Sequence, residues 1–140
     1  MKLILIRHGE THANLTMRWS GAKDLDITDL TENGKNQAKK LGQWFRDKGF
    51  KPTHAYHSPQ RRAKNTAQLA GGHWNLEMTE TDYLKETGAG IFEGLTWEEI
   101  EDKYPKEGTF SGILGTGPIF LRQSQNKKDE IEQKRFCLSY

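Results

Sequence analysis

An α/β fold built on a mainly parallel sheet is the class predicted by this 140-residue sequence, and three observations carry it. The first is the unbroken aliphatic run Leu3-Ile4-Leu5-Ile6, which reads as a strand buried on both faces, as parallel strands between helical layers are. The second is how that run ends. Arg7, His8 and Gly9 supply a cation, an imidazole and a turn-permissive glycine where open parallel sheets hold ligands, just beyond the carboxyl ends of their strands. The third is the alternation of short strand-like and longer helix-like stretches that follows. The length suits one domain with a real core and is too short for two comfortable ones.

Residues 9–31 make a long polar connection carrying Asn14, Trp19, Ser20, Gly21 and the stutter Asp26-Ile27-Thr28-Asp29-Leu30-Thr31. Loops of that length in compact domains are usually functional. Thr31 is the expected N-cap of a helix in which Ala38, Leu41, Trp44 and Phe45 share a core-facing side and Gly49 is the stop. Residues 53–57 read as a second strand. Ser58 as N-cap and Pro59 at the first helical position then open a helix running through Leu69. A helix start carrying Arg61 and Arg62 is suited to hold an anion. Residues 76–80 read as a third strand, followed by Tyr83-Leu84-Lys85-Glu86 and a loop punctuated by Gly88, Gly90 and Gly94. Thr96 and Glu99 have capping-box spacing, predicting a short helix to about Tyr104 closed by Pro105. From Gly108 the pattern changes to glycine-broken and then almost wholly polar chain, so the expected division is a core at 1–107 and a divergent tail at 108–140.

Lysine and arginine number 21 against 19 acidic residues, a formal charge of +2. That excess is too small for a dedicated nucleic-acid surface, whereas a few local cations suit a small anion. The aliphatic start is too short for a signal-peptide core or a membrane span, and a lone cysteine, Cys137, fits a reducing compartment. A cytoplasmic protein without nucleic-acid or membrane partners is expected. The spacings of His12, His54, His57 and His73 follow no metal-ligand pattern, so neither metal nor cofactor is expected.

If the strand ends converge, Arg7, His8, Arg62 and Glu86 form a constellation for phosphoryl chemistry. A neutral imidazole attacks phosphorus when cations neutralise the peripheral oxygens, and two guanidinium groups offer paired donors to a phosphoryl group. The departing alkoxide needs a proton, which a carboxylic acid kept protonated by burial or by nearby phosphate supplies. Glu86 is the candidate acid, with Glu10 and Glu93 as alternatives on the same rim. Arg61 reads as a surface charge.

The ordered set Arg7-His8-Gly9-Glu10-Thr11, Asn14, Ser20-Gly21, Leu30-Thr31, Gly34, Gln37-Ala38, Ser58-Pro59, Arg62, Thr66-Ala67, Leu84, Glu86 and Gly90-Ile91-Phe92-Glu93-Gly94-Leu95-Thr96 resembles the histidine phosphatase superfamily, the phosphoglycerate-mutase-like proteins. The resemblance implies a three-layer α/β/α sandwich and a phosphohistidine formed on His8. It also implies that Arg7 and Arg62 hold phosphate, Glu86 donates the proton, and Asn14, Ser20 and Gly21 lie along the substrate. Within the family the sequence looks most like the small broad-specificity and α-ribazole phosphatases, since mutases carry a longer insertion after the acid.

Two departures stand out. The stutter at 26–31 resembles a three-residue insertion in the substrate loop, and the family's second core histidine has no counterpart after His73. The sequence therefore resembles the front two-thirds of a phosphatase, with a sheet shortened at its C-terminal end. Three functions remain open: metal-free hydrolysis of a small phosphomonoester, mutase-type phosphoryl transfer, and a catalytically impaired phosphate-binding pseudoenzyme or truncated product. A shortened sheet exposes an edge, so a homodimer is a further expectation.

Overall fold

A computed structural model describes residues 2–105 of the protein. The expected boundary at 107/108, the tail at 108–140 and Cys137 lie outside the described residues. The chain divides after Thr96 into two compact units. The second begins with the helix α4 (Trp97–Lys103), whose Ile100 is buried and which ends beside the expected stop.

The first unit follows the α/β class. Its two longest helices are α2 (Glu32–Asp47) and α3 (Arg61–Gly71), and its strands β1 (Tyr56–His57) and β2 (Thr79–Glu80) pair in parallel. Tyr56 lies opposite Thr79 and His57 opposite Glu80. Both strands fall within the stretches the sequence nominates, and α3 lies between them in the chain, as the crossover joining two parallel strands requires.

Helix α2 starts as expected. The Thr31 side chain accepts from the Gly34 N–H, and past the other end Gly49 turns at φ +60°. Its buried stripe is Gly34, Ala38, Gly42 and Phe45, whereas Trp44, expected in the core, is 50% exposed. The displacement has a steric cause. Gly42 runs against the backbone of Leu69 and Ala70 on α3, so the two helices meet through small residues and the stripe rotates away from Trp44. Beyond this crossing Phe45, Phe50 and Trp74 form an aromatic cluster with ring centroids 5.1–6.0 Å apart.

Two expectations need correction. Residues 3–6 form no ladder among the described residues, and Leu3, Ile4, Leu5 and Ile6 are 68, 36, 67 and 44% exposed. A strand buries both faces only where neighbours flank it and layers cover it, and the described sheet consists of β1 and β2 alone. The second correction is the start of α3, whose N-cap is Gln60 rather than Ser58, with Arg61 as first helical residue. The Arg61 N–H is taken by the Asp24 carboxylate at 3.1 Å, while Ser58 Oγ turns to Gln60.

The connection at 9–31 is more ordered than a polar loop. It contains α1 (His12–Leu15), capped reciprocally by Thr11 and Asn14, and a 3-10 turn at Asp26–Thr28. Its base is closed by the bridge between Thr11 and Leu30 and by the bond from Thr31 N–H to Glu10 O.

Candidate active site

Two helices hold the end of the first segment in place. The Gly9 N–H donates to Thr66 Oγ1 of α3 at 3.1 Å, and the Glu10 N–H donates to Gln37 Oε1 of α2 at 2.9 Å. Gly9 and Gly34 pass so closely that a Cβ on either would strike the other segment's backbone. His8 is thereby set beside a depression of about 120 Å³ lined by Arg7, Gly9, Gln37, Ala38, Leu41 and Thr66.

The His8 ring is oriented by its own backbone neighbour. Nδ1 lies 2.8 Å from Gly9 O, and since a carbonyl can only accept, Nδ1 carries the proton. Nε2 then keeps its lone pair. Burial pushes the imidazole below its ordinary value of 6.5, and the charges of Arg62 and Arg7 push the same way, against the Gly9 bond and Glu86. The surroundings of His8 therefore favour the uncharged ring, with Nε2 as its unprotonated nitrogen.

Arg62 is the largest fully buried side chain among the described residues, at 1% exposure. Its Nη2 donates to Gly21 O at 2.9 Å and lies 3.9 Å from Glu86 Oε2, while buried Nη1 has no partner among the described residues. Desolvation lowers its pKa, with Glu86 and Asp24 opposing, but a guanidinium stays charged. Arg7 is exposed at the same site. Arg7, His8, Arg62 and Glu86 thus converge, although residues 7 and 86 are far apart in sequence. The Glu86 side chain is 60% exposed, so the candidate acid stands open to solvent.

The remaining nominated residues sit around this group. Gly21 offers its carbonyl to Arg62 and turns at φ +57°, where a side chain would collide with Glu93. Ser20 is half-buried in the same loop. The Asn14 side chain is occupied through Oδ1, which accepts from Thr11 N–H and Oγ1, leaving its amide group toward solvent. Of the alternative acids, the Glu10 carboxylate is taken up at the start of α2, accepting from Thr31 Oγ1 and Asn33 Nδ2. The Glu93 side chain is 4% exposed, accepting from the Ala22 and Ala89 N–H groups and pairing with Lys23 at 3.2 Å. Arg61 points to Asp29 and Asp26 at 3.3 and 3.8 Å, on the surface as expected. The anion expected at the start of α3 is an internal one, the Asp24 carboxylate.

Sequence reasoning missed Gln60 and underrated Thr66 and Gln37. Their bonds cross gaps of 26 to 57 residues, so no local pattern announces them.

The site and fold have known relatives. The family model of the histidine phosphatase superfamily (branch 1) matches residues 3–110, and the chain belongs to that superfamily. An uncharacterized phosphatase PhoE from Bacillus subtilis is 36% identical over 101 residues, covering 72% of this chain and 50% of that protein. A 2,3-bisphosphoglycerate-dependent phosphoglycerate mutase from Hamiltonella defensa is 37% identical over 109 residues, covering 76% and 43%. The crystal structure of the α-ribazole phosphatase from Shigella flexneri superposes with a TM-score of 0.66 at 28% identity, covering 73% of this chain and 48% of that one. The chain spans about half the length of the curated relatives it matches.

Proposed function

We propose that the protein hydrolyses a small phosphomonoester through a phosphohistidine on His8. The observation that carries this reading is the 2.8 Å contact of His8 Nδ1 with Gly9 O, which leaves Nε2 free in a setting where burial, Arg62 and Arg7 lower the ring's pKa. In the first step Nε2 attacks phosphorus, the P–N bond forms and the ester P–O bond breaks. Arg7 and the unpartnered Nη1 of Arg62 draw charge from the phosphoryl oxygens. Glu86 transfers its proton to the departing alkoxide. In the second step the Glu86 carboxylate takes a proton from water, the resulting hydroxide attacks phosphorus, and inorganic phosphate leaves with the P–N bond broken. Gly9 O holds the Nδ1 proton throughout, stabilising the ring while it carries the phosphoryl group.

Hydrolysis is favoured over mutase-type transfer by the exposure of Glu86, since an acid standing in solvent has water as its nearest acceptor. The test is turnover of p-nitrophenyl phosphate without added metal, comparing the chain with His8→Ala. Turnover should fall by at least about 10³-fold in the variant. Equal rates in the two proteins would reject the phosphohistidine reading and leave a phosphate-binding protein.

A further inference from the structure

Gln60 is 4% exposed and spends every hydrogen-bonding position it has. Oε1 accepts from Ser58 Oγ at 3.2 Å and from the Glu86 N–H at 3.1 Å. Nε2 donates to Gly21 O at 3.1 Å and to Ala22 O at 3.2 Å. The amide orientation follows from its partners, because a backbone N–H can only donate and the two carbonyls can only accept. One side chain thus joins the β1–α3 junction, the loop at 21–22 and the segment at 86. Burying an amide in this way is favourable only when all its bonds are made, so the contacts come as a set.

We infer that Gln60 is a positioning residue that fixes the Glu86 main chain and the Gly21 carbonyl relative to Arg62. The geometry is a closed triangle. Gly21 O accepts from both Gln60 Nε2 and Arg62 Nη2, the Glu86 N–H rests on Gln60 Oε1, and the Glu86 carboxylate lies 3.9 Å from the same Arg62 Nη2. An exposed glutamate on a glycine-rich segment has little else to hold it. Among the described residues, the bond to Gln60 and the approach to Arg62 are the contacts that anchor residue 86. The inference rests on the phosphatase reading in giving Glu86 the task of protonating the leaving group, and its consequence is selective. Losing Gln60 should harm substrates whose leaving group needs a proton and spare those whose leaving group departs as a stable anion.

The test uses the full chain with Gln60→Met, which keeps length and bulk but makes no bonds. Two quantities are measured: hydrogen exchange at the Glu86 amide, and kcat/KM for an alkyl phosphate and for p-nitrophenyl phosphate. Exchange at Glu86 should quicken at least about tenfold. For the alkyl phosphate kcat/KM should fall about a hundredfold, with the aryl ester changed less than about threefold. Unchanged exchange, an equal fall for both esters, or loss of the folded state would each overturn the positioning role. If the unsubstituted chain shows no His8-dependent turnover, the phosphatase reading fails, and exchange at Glu86 alone then decides whether Gln60 organises the site.

Discussion

His8 shows how few contacts are needed to orient an imidazole and lower its pKa. One carbonyl orients the ring, and burial together with two guanidinium groups lowers its pKa below the ordinary value. Because its folded-state pKa lies below 6.5, the unfolded chain binds a proton over the window just below 6.5 that the folded chain does not. Stability from this group is therefore complete above pH 6.5 and is lost as pH falls through the folded value. Denaturant titrations between pH 7 and 5 should show this acid loss, and it should be smaller in His8→Ala. The acid limb of kcat/KM should likewise fall below pH 6.5 rather than at it. A limb at or above 6.5 would mean the ring is not held neutral.

Among the elements, α2 and α3 do most to build the site, and they do so through small residues. Gly34 lies in the first turn of α2 directly against the main chain of Glu10, and a methyl group there would meet Glu10 O, N and C. In an open helix Gly→Ala gains about 1 kcal/mol. Here the neighbour is backbone and cannot yield, so Gly34→Ala should lose about 1–3 kcal/mol, seen as a lower urea midpoint. Gly49 is the comparison, for it has a positive φ and open space around it. Gly49→Ala should lose only the conformational strain, about 1–2 kcal/mol, without effect on turnover. A stabilising Gly34→Ala would show that the first turn of α2 is not seated against Glu10.

At the scale of the molecule, the aliphatic start is the unresolved demand of the chain. Leu3 and Leu5 are each about two-thirds exposed in a segment whose pattern calls for burial on both faces. Exposed contiguous apolar chain binds hydrophobic probes. The native protein should therefore enhance the fluorescence of anilinonaphthalene sulfonate, and Leu3→Thr with Leu5→Thr should cut that enhancement at least about twofold. Equal fluorescence in the two proteins would locate the apolar surface elsewhere. No helix among the described residues is long and apolar enough to cross a membrane.

The sequence by itself determined the α/β class, the Thr31 cap and the order of elements from α2 onward, because caps, glycine stops and apolar periods are local and short-ranged. It also placed Arg7, His8, Arg62 and Glu86 in one constellation, through an ordered set of motifs rather than through any one of them. Tertiary structure alone decided which side chains hold that constellation together. Gln60, Thr66, Glu93 and Asp24 each act on partners that lie distant in sequence and are brought near by the fold. It also decided that Trp44 stays outside while Gly42 goes in, since a helix crossing selects the face that lets two backbones approach. Burial of residues 3–6 is likewise a property of neighbours and covering layers, which a run of aliphatic side chains can call for but cannot supply.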